Sequence, residues 1–270
     1  MVVTGHEGLN EKLAKYIIMH VNYEYALDGC LEHAANGKIL DYGCGGGDVV
    51  IEGRTRGLDI VGVEAFYGGS RARETAASRG VLDVAVFALH PDFRIPFQDN
   101  TFEMVVSNQV MEHVEDLSLT LREIARVLKP GGVLLTLFPD DSVIREGHCG
   151  IPFAHWFSNK SKPLYCYMRI MRMLGMGYHK ANKTHNQWVV DFMDWLAKYT
   201  FYRSLPEIKA GFRLNGMSFS GIEHQYMGYR LGKKGVIIPE SIARNAIWKA
   251  GSGYLCRRLG GLVILARKQQ

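Results

Sequence analysis

The fold class this sequence predicts is α/β, a mostly parallel sheet with helices on both faces. Three observations predict it. Between residues 38 and 139, short apolar runs alternate with amphipathic segments, the pattern of strands joined by helical crossovers. A glycine-rich loop, Gly43-Cys44-Gly45-Gly46-Gly47, directly follows the first apolar run. Glu64 closes the second run, at the spacing from that loop that a ligand-binding α/β corner uses.

The elements follow in order. Residues 1–37 read as an N-terminal helical cover, with two helices across 9–35 separated near Asn22. Strands are expected near 38–41, 60–64, 83–89, 102–107 and 132–138. Leu117, Leu121, Ile124, Ala125 and Leu128 keep helical spacing, which predicts a helix over 117–128 with Asp116 as its N-cap. Lys129-Pro130-Gly131-Gly132 ends that helix and starts the fifth strand, closing a 38–139 cofactor-binding half. Beyond it the alternation stops. Residues 140–200 hold no convincing strand. Leu164 to Leu174 reads as one helix, and Trp188, Phe192, Trp195, Leu196 and Tyr199 fall on one face of another. This stretch reads as a helical lid inserted on the substrate side, because binding loops gather at strand ends. Residues 201–270 supply the remainder of the core, with strands at 217–226 and 261–267 and a helix near 240–250.

Composition bounds the function. A chain of 270 residues suits one large domain with insertions. No apolar run approaches bilayer length, and no basic-then-apolar leader is present, so a cytoplasmic address is the expectation. Five cysteines, an odd number without metal-ligand spacing, suggest reduced thiols. The net charge of +5 divides unevenly, −7 over residues 1–139 and +12 over 140–270. That split suggests an anionic partner for the basic half, or two charge sets that neutralise each other across the fold.

The glycine loop narrows the ligand. The dinucleotide fingerprint needs a glycine at the sixth loop position, and here that position is Asp48. A carboxylate there opposes a pyrophosphate at the helix N-terminus, and Asp41 adds a second negative charge. The loop therefore suits a cationic, phosphate-free ligand. S-adenosylmethionine fits, with Glu64 accepting from the ribose hydroxyls.

Four stretches then carry a family resemblance: Lys38 to Val50, Val61 to Ala65, Ile95 to Ser107 and Leu121 to Thr136. In order and spacing they resemble the class I S-adenosylmethionine-dependent methyltransferases, especially the group that includes the quinone-biosynthesis enzymes. The resemblance covers roughly half the chain. It implies a Rossmann-like seven-stranded sheet and a methyltransferase with S-adenosylmethionine as cofactor. It implies cofactor contacts from Asp41, Gly43, Gly45, Gly47, Glu64 and Ala65, with Ser107 and Asn108 lining the pocket after the fourth strand. The acidic residue that relatives often place after the third strand is displaced here, leaving His90 or Asp92 for the adenine. The resemblance also sets Glu112-His113 near the methyl-transfer centre.

Methyl transfer asks a protein mainly to align acceptor, methyl and sulfur, and a hydroxyl acceptor also asks for a base. Histidine suits that work near neutral pH. His148 and His155 lie in a glycine- and aromatic-rich stretch after the fifth strand; each is a candidate base or a loop anchor, as is His113. The His148/His155 pair lacks the further ligands of a zinc site, so no metal is expected. The expected function is methylation of a small or lipid-linked acceptor, more at oxygen than elsewhere, with an anionic substrate in view of the basic half. The alternatives are RNA or protein methylation, for which no nucleic-acid-binding motif is present, or a non-catalytic module binding the cofactor or a membrane. Tyr165 to Lys180, with Arg169, Arg172 and Lys180, is the candidate for peripheral membrane contact.

Overall fold

The structure, a computed structural model, describes residues 20–68 and 70–269. Seven strands form one sheet: β1 (Lys38–Tyr42), β2 (Asp59–Glu64), β3 (Val86–Ala88), β4 (Phe102–Asn108), β5 (Leu128–Phe138), β6 (Ser220–Gly221) and β7 (Leu262–Arg267). Their order is β3-β2-β1-β4-β5-β7-β6. The first five pair in parallel, whereas β7 runs antiparallel to both β5 and β6.

The apolar runs become strands because both sheet faces are covered. Ile39, Met104, Val106 and Leu135 point into one buried cluster, completed by helices α1 (Val21–Ala34), α8 (Glu223–Gly232) and α10 (Ala246–Gly260). Leu40, Val105 and Leu134, their neighbours along the strands, point into the other, against α4 (Leu117–Val127) and α7 (Leu205–Leu214). Burying a side chain such as Leu40 contributes about 2 kcal/mol. Asp116 caps α4 as its spacing predicts, its Oδ1 accepting from the Leu119 amide at 2.9 Å. Helix α2 (Asp48–Thr55) follows the glycine loop, and α3 (Ala72–Ser78) follows β2. Of the two expected N-terminal helices, α1 is the second; the first lies outside the described residues.

Two expectations fail in the C-terminal part. The strand expected over 217–226 shortens to Ser220–Gly221, and α8 starts at Glu223. Buried Ile222 and Tyr226 are four residues apart, a helical spacing that the sequence reading took for strand. The helix expected near 240–250 is instead α9 (Glu240–Ala243) followed by α10.

Between β5 and α7 the chain leaves the sheet. It forms α5 (Lys162–Met173) and α6 (His185–Tyr199), with a single antiparallel bridge between Arg145 and Pro152. Its apolar residues, including Ile151, Leu164, Met168, Trp188 and Leu196, make a cluster of their own. Among the described residues no helix is long and apolar enough to cross a membrane. All five cysteines are free, and Cys166 alone is exposed.

Candidate active site

Strand order reverses between β1 and β4, so a crevice opens beyond their carboxyl ends. Asp41 and Tyr42 end β1, and Ser107 and Asn108 end β4. The glycine loop turns through this crevice. Gly43 has φ +77°, and a Cβ there would lie 2.3 Å from the Val110 side chain. Gly45 has φ +55°, and a Cβ there would meet nothing within 4 Å, because its Cα faces open cavity.

Two cavities meet at this loop and share Gly43, Gly45 and Gln109. The smaller, about 420 Å³, is walled by Asp41, Asp48 and Asn108 and by His20, Asn22 and Tyr23 at the start of α1. Asp41 is fully buried there. Burial, then the charges of Glu64 and Asp48, push its carboxyl up to about 8. The larger cavity, about 520 Å³, runs from Gly45, Glu64 and Ala65 past Leu89 and Phe93 to His113, Tyr199 and Phe201. The Glu64 carboxylate is fixed by backbone amides, with Oε2 accepting from Gly45 at 2.9 Å and Oε1 from Ala65 at 2.9 Å.

His113 sits on a 3-10 turn, Met111–His113, just after β4. Its Nδ1–H donates to the Tyr199 carbonyl at the end of α6, 2.6 Å away, and its Nε2 lies 3.2 Å from the His148 Nε2. Desolvation lowers the His113 pKa. His148 Nδ1–H donates to Glu146 at 2.6 Å. Burial opposes the charge on Glu146, but hydrogen bonds from the His148 ring, the Cys149 amide and Tyr202 outweigh it and hold the carboxyl well below its usual range. Tyr202 Oη–H also donates to Glu146, at 2.7 Å. Glu112 is wholly buried with both carboxylate oxygens unpartnered, and burial pushes its carboxyl up to about 8. Arg203 ties the segment down, donating to the carbonyls of Met111, Val114, Glu115 and Phe201.

A methyltransferase-domain family matches residues 40–136. The chain is 31% identical over 134 residues to methyltransferase GfsG of Streptomyces halstedii, covering 46% of this chain and 48% of that protein. It is 33% identical over 139 residues to a demethylmenaquinone methyltransferase of Symbiobacterium thermophilum, covering 46% and 54%. The chain thus spans about half the length of these curated relatives. By fold it resembles the crystal structure of an S-adenosylmethionine-dependent methyltransferase from Mesorhizobium loti, with TM-score 0.52, 17% identity and coverage of 92% of this chain and 100% of that one. The methyltransferase likeness lies in residues 40–136, the stretch that carries the glycine loop and Glu64.

The corner fits S-adenosylmethionine. An ammonium would relieve the buried charge that burdens Asp41, the open face of Gly45 admits close approach, and Glu64 presents immobilised acceptors to a ribose. One part of the sequence argument changes. Asp48 forms an ion pair with Arg79 at 2.7 Å, so its charge is largely answered within the protein, and Asp41 carries the preference for a cation.

The other expected residues distribute unevenly. Ala65 lines the larger cavity and Asn108 the smaller. Gly47 caps α2 behind the loop and walls neither cavity. Ser107 is buried, its hydroxyl unpartnered, and also walls neither. His90 and Asp92 are exposed, while their neighbours Leu89 and Phe93 face the cavity. His155 packs at a tilt against Tyr202 with ring centroids 4.5 Å apart and makes its hydrogen bond to the Asp141 carbonyl, apart from the His113/His148 pair. The sequence paired His148 with His155; the fold pairs it with His113. Glu146, Tyr202 and Arg203 were not singled out, and the Glu146-x-His148 spacing was the one local signal for them.

Proposed function

We propose that the protein transfers a methyl group from S-adenosylmethionine to a hydroxyl of a small, largely apolar acceptor held in the larger cavity. One observation carries this reading: the cofactor corner and His113 share the walls of that single chamber. Asp41 and Glu64 bind and orient the cofactor from one end. Tyr67, Leu89, Phe93, Val110 and Tyr199 give the acceptor apolar and aromatic walls that exclude water. Bound there, the cofactor would supply a methyl carbon activated by its sulfonium, with a neutral thioether as the leaving group. His113 Nε2, its tautomer set by the Tyr199 carbonyl on Nδ1, takes the proton of the acceptor hydroxyl.

The names of the relatives agree with small, apolar acceptors but divide over the methylated atom: they include a demethylmenaquinone methyltransferase, a sterol 4-C-methyltransferase and a 27-O-demethylrifamycin SV methyltransferase. The chamber does not favour an anionic acceptor: Glu64, Glu115 and Asp116 line it against Lys198. The stretch from β5 to α7 acts as the lid, supplying Lys198, Tyr199 and Phe201 to the acceptor side.

The test is incubation with methyl-labelled cofactor and a panel of apolar phenols, hydroxyquinones and carbon acceptors, with the methylated atom read by NMR. O-methyl ethers are expected, and His113→Ala should lower turnover about 10²-fold or more without changing cofactor affinity. Products methylated only at carbon, or wild-type turnover in the variant, would refute the oxygen assignment.

A further inference from the structure

We propose that Glu112, His113 and His148 form a binding site for one divalent first-row transition ion, of the zinc class, beside the acceptor chamber. The three residues can each offer one ligand atom, and those atoms all lie within 4.8 Å of one another. The tautomers are fixed from outside. A carbonyl can only accept, so His113 Nδ1 carries the hydrogen it gives to Tyr199. Glu146 already accepts from the His148 and Cys149 amides and from Tyr202, and it likewise accepts from His148 Nδ1. Both Nε2 atoms therefore present lone pairs, and they face each other at 3.2 Å. Two lone pairs so close repel unless a cation lies between them.

The separation suits a shared ion. Two nitrogens held about 2.0–2.1 Å from one tetrahedral zinc lie about 3.3 Å apart. Histidines whose Nδ1–H is held by a carbonyl or carboxylate are the usual metal ligands, because that bond orients the ring and raises its basicity. The third donor is independent of the imidazoles. Both Glu112 oxygens are buried without a partner, and Oε1 stands 3.9 Å from His113 Nε2. A proton shared by the two rings would leave that carboxylate unpartnered; a divalent ion answers all three groups. Two histidines and one carboxylate match zinc and its neighbours, and leave a coordination position for a fourth ligand. Binding of the ion does not rest on the methyl-transfer reading: with the ion held, His113 Nε2 is a ligand, and without it the same nitrogen is free to act as the base.

The test uses the full chain, stripped with chelator and titrated with Zn²⁺ alone, without cofactor or acceptor. One equivalent should bind. His148→Ala and Glu112→Gln should each weaken binding about tenfold or more, while His155→Ala leaves it within about twofold. A wild-type readout guards against variants that fail to fold: Zn²⁺ should protect His113 and His148, among the histidines, from carbethoxylation mapped by mass spectrometry. Absence of stoichiometric binding, or binding indifferent to both variants with no protection of the pair, would overturn the site whatever the outcome of the methylation assay.

Discussion

Asp41 is where burial and charge meet most directly. Its raised pKa means that the carboxyl is protonated below about 8, and pairing with an ammonium requires it to ionise. Cofactor binding near pH 6.5 should therefore release a proton. Calorimetry in two buffers of different ionisation enthalpy measures it, and Asp41→Asn should abolish the release and weaken binding about tenfold or more. Glu64→Ala should weaken binding by a similar factor, because the acceptors that Gly45 and Ala65 hold in place are lost; unchanged affinity would remove Glu64 from the cofactor site. The Asp41 corner was legible in the sequence because a strand, its loop and the next strand's end are local features. The pairing of His113 with His148 was not. Thirty-five residues separate them, and the approach depends on how the loops after β4 and β5 fold back toward α6.

The elements after β4 and α6 hold each other through Arg203. Its guanidinium bonds four carbonyls, Val114 and Glu115 both at 2.6 Å. Arg203→Ala should cost about 2 kcal/mol in urea denaturation and lower turnover by loosening the turn that carries His113. Lysine cannot reproduce the planar fork, so Arg203→Lys should recover only part of the loss. Glu146 adds an acid sensitivity to the same region. Its pKa is depressed in the fold, so its contribution is present above the unfolded value of 4.5 and lost as pH falls toward about 2. The parallel strands were readable as elements because each holds an apolar run, buried on both sides in β1, β2, β4 and β5. The edge beyond β7 was not, since β6 is two residues long and the apolar spacing there belongs to a helix.

At the scale of the whole molecule, the cluster around Trp188 is separate from the two that sandwich the sheet. Hydrogen exchange should show amides of α5 and α6 opening at lower free energy than those of β1, β4 and β5. Trp188→Ala, which empties a fully buried site, should widen that gap by about 3 kcal/mol while the sheet stays protected. The start of α1 has a kinetic consequence. Asn22 donates to Asn108 at the tip of β4 at 3.0 Å and accepts from Tyr226 of α8, so one latch joins three elements at the rim of the smaller cavity. Spent cofactor that leaves past that rim is expected to need the latch open. Turnover should then slow as solvent viscosity rises, and Asn22→Ala should remove that dependence; turnover indifferent to viscosity in the wild type would discount the latch.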